Sequence, residues 1–248
     1  MTRYKDRFKH AATIWCIGVF WASVFPVKAQ NAQSGKIHEL VSWLLTNDES
    51  LRAMPFAEVI AATSGKRIIP IDREKDAAIL QQIGSTMDIV LTRMNAENSP
   101  VKKTGRINEA SHFFEDAMQE ELNKIPGCKC GFPLTADGKV QRSGYPDLQL
   151  DLADGRTFYL DPKLLAKGSR ASSFRTFYFE PRMGTNKVNR DACHLVVGIE
   201  HDFAATGRFL SWELIDLSQF RVQLKAEFQG SNRDLYRDEA VVGRGEPH

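Results

Sequence analysis

Residues 146–163 read Pro146-Asp147-Leu148-Gln149-Leu150-Asp151-Leu152-Ala153-Asp154-Gly155-Arg156-Thr157-Phe158-Tyr159-Leu160-Asp161-Pro162-Lys163, and the fold turns on how this stretch pairs with itself. Leu148, Leu150 and Leu152 alternate with polar residues, and Phe158 and Leu160 repeat the same period of two, the pattern of two half-buried strands. Between them, Ala153-Asp154-Gly155 suits a three-residue hairpin loop, with Gly155 supplying the left-handed backbone position. That loop sets the register. Leu152 meets Arg156, Leu150 meets Phe158, Leu148 meets Leu160, and Asp147 meets Asp161. One face of the hairpin is then apolar and the other carries both carboxylates.

Facing side chains of an antiparallel pair have Cβ atoms about 4.5–5.5 Å apart. Two carboxylates that close repel unless one is protonated or a cation lies between them. Lys163, two residues beyond Asp161, falls on the same face and adds an ammonium to the cluster. Such a set suits phosphodiester hydrolysis: Mg²⁺ takes oxygen ligands and polarises the scissile phosphate, while a lysine holds or deprotonates the attacking water. Pro162 has no N–H for a ladder bond, which predicts an edge or a bulge at this end of the strand and leaves its carbonyl free to face a metal. The competing reading is a strand that ends in a turn, with solvated acids on its surface.

The order Pro146-Asp147, hairpin, Asp161-Pro162-Lys163 resembles the PD-(D/E)XK superfamily, the restriction-endonuclease-like nucleases. The resemblance implies an α/β (α+β) fold with an αβββαβ core, dependence on Mg²⁺ with Mn²⁺ as a substitute, and a further acid on the helix before the hairpin. Residues 106–125 supply that helix, stopped by Pro126-Gly127. Ile107, Ser111, Phe114, Met118, Leu122 and Ile125 form one stripe, and Glu115 lies about 65° from its centre at 100° per residue. Glu121 borders the opposite edge and is the second candidate. Phe114-Glu115, followed by Met118 and Leu122, is also similar to the helix signature of several branches of the superfamily. The expected catalytic set is Asp147, Asp161, Lys163 and Glu115, with Asp147, Asp161, Glu115 and the Pro162 carbonyl as metal donors.

From Lys163 the chain carries Lys167, Arg170, Arg175, Arg182, Lys187 and Arg190 against one acid, Glu180. Beginning at the candidate catalytic lysine, and interleaved with Gly168-Ser169 and Ser172-Ser173, this run reads as a nucleic-acid-binding surface, with DNA as the expected partner. A solvated basic loop is the plainer alternative. His194 and His201 fall on opposite faces of one strand, which argues against joint metal ligation. His112 lies near Glu115 on the helix. Neither a P-loop nor a Gly-x-Ser-x-Gly pattern occurs, so nucleotide hydrolases and esterases of those types have no support.

The chain begins with Arg3, Lys5, Arg7 and Lys9, then an apolar run from 11 to 27, then Val27-Lys28-Ala29, the layout of a secretory signal. An N-terminal membrane anchor is the alternative. The expectation is an exported protein, periplasmic or secreted. Removing residues 1–29 takes five of the 33 Lys/Arg and one of the 31 Asp/Glu, leaving 28 basic and 30 acidic residues, so nucleic-acid binding must rest on local charge. In an oxidising compartment Cys128, Cys130 and Cys193 predict one disulfide and one free thiol. Cys128-Lys129-Cys130 is one residue short of a zinc-knuckle spacing.

Residues 36–46 and 50–63 predict two short helices, 66–71 a strand, and 72–94 a long amphipathic helix capped by Asp72. Residues 95–103 predict a linker, and 216–236 a closing helix. The expected domains are a signal peptide over 1–29, a helical extension and linker over 30–103, and a PD-(D/E)XK-like nuclease core over 104–248. The expected function is Mg²⁺-dependent, endonuclease-like hydrolysis of DNA. A catalytically silent nucleic-acid-binding or interaction protein of the same fold is the alternative, and a hydrolase of phosphoester metabolites is a second.

Overall fold

The computed structural model describes residues 25–103, 107, 110–174, 176–202 and 206–246, with side chains from residue 33 onward. It divides into two compact units, residues 1–48 and 49–248. In the first, α1 (Phe25–Thr46) is one continuous helix that runs through residue 29. Its last turn closes on side chains: the Thr46 hydroxyl donates to the Ser42 carbonyl at 2.7 Å and the Asn47 amide to that of Trp43 at 2.8 Å. Residues 1–24, most of the proposed signal, lie outside the described residues.

The second unit runs β1 (Met54–Pro55), α2 (Phe56–Ser64), α3 (Ala77–Asn95), α4 (Ser111–Leu122), β2 (Cys128–Gly131), β3 (Leu148–Leu152), β4 (Thr157–Ala166), β5 (Cys193–His201), β6 (Phe209–Asp216), β7 (Arg221–Val222) and α5 (Asn232–Leu235). Five strands form a mixed sheet in the order β2-β3-β4-β5-β6. Only the β4–β5 pair is parallel. This is an α+β fold.

The hairpin takes the register its loop dictates. Leu148 pairs with Leu160 and Leu150 with Phe158, the Leu152 N–H donates to the Arg156 carbonyl at 2.9 Å, and Gly155 has φ of +87°. β3 begins only at Leu148, opposite Leu160, while β4 continues past that point beside β5 to Ala166. From Asp161 onward β4 is therefore open on its β3 side, where Pro162 needs no N–H partner. Its register against β5 is unbroken, so the alternative of a bulge at Pro162 is set aside.

The two faces of the sheet are covered differently. Leu148, Leu150, Phe158, Leu160, Leu195, Val197 and Ile199 pack against α3 and α4 through Ile83, Met87, Val90, Met94, Phe114, Met118 and Leu122. Burying a side chain of this size contributes about 1.5–3 kcal/mol, so this layer anchors the fold. On the other face Tyr159 and Val196 pack with Phe56 and Ile60 of α2, Tyr145 and Leu217, with Phe177, Phe179 and Phe220 alongside. An αβββαβ core places a helix between β4 and β5. Among the described residues that connection has none, and α2 with the 177–179 segment covers the face instead.

Several expectations need correction. The strand expected at 66–71 is a single bridge, Ile68 with Ala192. Asp72 accepts the N–H groups of Glu74 and Lys75 at 3.1 and 3.2 Å, building a turn that delays α3 to Ala77. The 95–103 segment is not a loose linker: Pro100–Lys103 is a 3₁₀ turn with Val101 buried, and the Asn95 side chain bonds both the N–H and the carbonyl of Phe209. α3 thus shares a core with α4 and the sheet, and the packing boundary falls after Asp48 rather than at 103. The tail forms a 3₁₀ turn, β7 and the short α5 in place of one closing helix, since Leu224, Phe228 and Leu235 find no core to join and stay exposed.

The expected disulfide is absent: Cys128, Cys130 and Cys193 are all free thiols. Cys130 is aligned through Leu150 and Phe158 with Cys193, three strand spacings away. That is about 14 Å, against the roughly 4.4–6.8 Å between Cα atoms that a disulfide needs. Burial pushes the Cys130 and Cys193 thiols up to about 12.

Candidate active site

Where β3 has ended and β4 continues, the open end of the hairpin borders a cleft of about 540 Å³ lined by Ser111, His112, Glu115, Arg142, Ser143, Asp147, Pro162, Lys163, Leu164 and Thr176. Three elements bring the acids there. Asp147 immediately precedes β3, Asp161 and Lys163 sit on the face of β4 opposite Leu160, and Glu115 rides on α4. The α4 stripe that buries Phe114, Met118 and Leu122 also carries Glu115 below the surface, at 8% exposure.

Asp161 is almost fully buried, at 1% exposure. The Lys163 ammonium lies 2.6 Å from Asp161 Oδ2 and 3.3 Å from Asp147 Oδ2. The contact with Asp161 is one of charge without hydrogen-bond alignment, and among the described residues neither Asp161 oxygen has a hydrogen-bond partner. A buried carboxylate left in this state is costly. Burial first, and the Asp147 carboxylate second, push the Asp161 pKa up to about 8, against the pull of Lys163. Burial also opposes the charge on Lys163, but the two aspartates outweigh it and hold the ammonium above its ordinary value.

Glu115 has a different neighbour. Arg142 Nη2 reaches Glu115 Oε2 at 3.0 Å and Asp116 Oδ1 at 2.9 Å. Burial raises the Glu115 pKa, and Arg142 offsets part of that rise. Glu121, the second candidate, turns away from the cleft to pair with Lys124 at 2.7 Å. Pro162 lines the cleft, with its carbonyl 3.5 Å from Lys163 Nζ.

Among the described residues no three Asp, Glu, His or Cys side chains converge as a metal-ligand set. Lys163 stands between Asp147 and Asp161, and Arg142 holds Glu115. The acids nonetheless fit a hard divalent cation: the donors are oxygens, and Asp161 is buried, raised in pKa and without a hydrogen bond, the state that a cation relieves.

The basic run divides. Lys167, Arg170, Arg182 and Arg190 are exposed; Arg170 pairs with Glu213 at 2.5 Å and Arg182 with Glu180 at 2.6 Å. Arg175 lies outside the described residues. Lys187 cannot serve as a surface phosphate contact, because it is fully buried and its ammonium donates to the carbonyls of Gln141 and Arg142 at 3.3 and 3.1 Å. Burial lowers its pKa, against the nearby Asp147, Asp161 and Glu115. It joins the 184–190 segment to the loop that carries Arg142.

Arg142 in the cleft, and the buried Lys187 that holds its loop, are the residues that sequence reasoning missed in these roles. Arg142 lies in a loop with no periodicity, and Lys187 is hidden within a run that suggests a surface. Tyr145, buried like Lys187, is bonded to His194 Nδ1 at 2.6 Å. Burial depresses the His194 pKa to about 3, so its ring is neutral.

The family model of the type II restriction enzyme MjaV family matches residues 49–239. The chain is 29% identical over 215 residues to the type II restriction enzyme MjaV of Methanocaldococcus jannaschii, covering 78% of this chain and 90% of that protein. No solved structure matches. The chain belongs to the type II restriction enzyme MjaV family, whose description implies endonuclease action on DNA.

Membership overturns the expectation of an exported, secreted protein with a signal peptide, because a restriction enzyme meets its DNA inside the cell. No helix among the described residues is long and apolar enough to cross a membrane.

Proposed function

We propose that this member of the family is a divalent-metal-dependent DNA endonuclease of the PD-(D/E)XK kind, with its site at the open end of the β3–β4 hairpin. The observation that carries this reading is Asp161, buried without a hydrogen bond, with Lys163 set between it and Asp147. Asp147, Asp161 and Glu115, with the Pro162 carbonyl beside them, are the donors for Mg²⁺, and Mn²⁺ would substitute. When bound, the cation supplies Lewis-acid polarisation of the scissile phosphate and charge for the transition state.

The remaining chemistry falls to the chain. Lys163 projects from β4 into the cleft, where its ammonium orients the attacking water and offsets charge in the transition state. The wall of β4 and β5 behind Asp161 excludes bulk water from one side, which strengthens every charge interaction in front of it. Lys167, Arg170, Arg182 and Arg190 on the exposed segment that follows hold the phosphate backbone. Lys187 serves by fixing the loop that carries Arg142.

The test is cleavage of plasmid, linear and single-stranded DNA by the purified chain, with Mg²⁺ or EDTA. Cleavage is expected with Mg²⁺ and not with EDTA, and a loss of at least about 10³-fold in Lys163→Ala and Asp161→Ala. Metal-dependent cleavage that survives both substitutions rejects the assignment. DNA binding without any cleavage by the unaltered chain favours the binding-protein reading.

A further inference from the structure

Arg142 is built to do more than pin a loop. Its Nη2 alone faces three acceptors: Glu115 Oε2 at 3.0 Å, Asp116 Oδ1 at 2.9 Å and the His112 carbonyl at 3.3 Å. One nitrogen with two hydrogens cannot serve three acceptors well, while the other three N–H groups of the guanidinium have no hydrogen-bond partner among the described residues. The guanidinium lies 4.5 Å from the centroid of the Phe132 ring, and the side chain is half exposed at the edge of the cleft. A planar cation with unspent donors, beside a candidate phosphodiester site, is suited to a phosphate oxygen.

We propose that Arg142 is a positioning residue that competes with the divalent cation for Glu115 and turns its free donors to a DNA phosphate once the cation has taken that carboxylate. The inference rests on the reading of Glu115 as a metal donor. While Arg142 holds Glu115, the buried carboxylate is neutralised by the chain itself, and a cation must displace that contact to use the oxygen. Asp116, exposed and adjacent, keeps Arg142 tethered when Glu115 is released. Binding of cation and of DNA are thereby linked: each favours the arrangement in which Arg142 has left Glu115.

A residue that only pins the loop to α4 predicts the opposite sign, because its loss would loosen Glu115 and weaken cation binding. Calcium titration calorimetry on the full chain, with and without a DNA duplex, distinguishes the two. Without DNA, Arg142→Gln is expected to tighten Ca²⁺ binding by about five-fold, the lower end of site-to-site coupling. In Ca²⁺ the same variant is expected to bind DNA about ten-fold more weakly, from loss of a phosphate contact. Arg142→Lys, which keeps the charge but not the fork, should fall between on both measures and supplies the reading if the Gln variant melts early. Unchanged or weakened Ca²⁺ binding in the folded variants overturns the inference. Glu115→Gln and Asp161→Asn separate that failure from a failure of the site itself: if both bind Ca²⁺ as the unaltered chain does, the metal site lies elsewhere and both readings fall.

Discussion

Each end of the β3–β4 hairpin meets a cluster of two aspartates and one base, the turn borrowing Asp76 from the start of α3, and the two clusters are solved in opposite ways. At the turn, Asp154 accepts the Arg156 N–H at 3.0 Å and its Nε at 2.8 Å, while the same guanidinium pairs with the buried Asp76. The other Asp76 oxygen takes the Asp72 N–H at 2.9 Å. Every acid there has an aligned donor, and Arg156 holds the Asp154 pKa below its ordinary value. At the open end one lysine stands between Asp147 and Asp161, and Asp161 has no aligned bond. Arginine offers five donors in a fixed fork and lysine three on one atom. A satisfied cluster is architecture. One left unsatisfied in the core of the sheet costs stability, and groups in that state cluster where proteins bind ligands or do chemistry.

Removing one charge from each end should separate the two clusters by the largest margin. Asp147→Asn is expected to lose at least about 10³-fold in Mg²⁺-dependent DNA cleavage, the scale of a lost group acting on the transition state. Asp154→Asn should stay within about three-fold, because an exposed ion pair far from the cleft is worth little. Comparable losses in both would make the turn part of the site.

Stability should move the other way. Burial and the neighbouring Asp147 push the folded Asp161 pKa up to about 8, well above the ordinary aspartate value of 3.8. Across pH 4 to 8 the folded state therefore binds more protons than the unfolded one, and stability falls as pH rises through that window. In EDTA, Asp161→Asn should flatten the dependence and raise the melting temperature at pH 8.5 by at least about 3 °C. Arg156→Ala should lower stability by about 1–3 kcal/mol at the same pH, because it leaves the buried Asp76 without its partner. Melting curves in EDTA from pH 5 to 9 check both signs. A destabilised Asp161→Asn would mean that the carboxylate is structural.

How much of this the sequence discloses depends on whether a signal is local. The hairpin was legible because alternation and one glycine act over a few residues, and they carried Asp161 and Lys163 to a common face. Glu115 was legible from the helical period. Strand β2 was not, because Cys128-Lys129-Cys130-Gly131 offers too short an alternation to read. Lys187 and Arg142 were missed because their roles depend on partners across loops: one lysine among seven basic residues does not announce that it is buried. The missing crossover helix was equally hidden, since its place on the sheet is taken by α2, far earlier in the chain.

Gly155 sits in the turn itself, at the far end of the hairpin from Asp161. Gly155 holds φ of +87° with open space where a Cβ would stand, so substitution there meets a backbone penalty and no clash. Gly155→Ala is expected to cost about 1 kcal/mol and Gly155→Asn less, because Asn enters the left-handed region more readily. For a chain of this size that is a fall of roughly 2–4 °C in melting temperature. Cleavage at 25 °C should not change, because the leucine and phenylalanine pairs between the turn and the site hold the register once folded. Cleavage that dropped in a folded Gly155→Ala would show that the acids depend continuously on the turn, and the division between an architectural end and a chemical end would no longer stand.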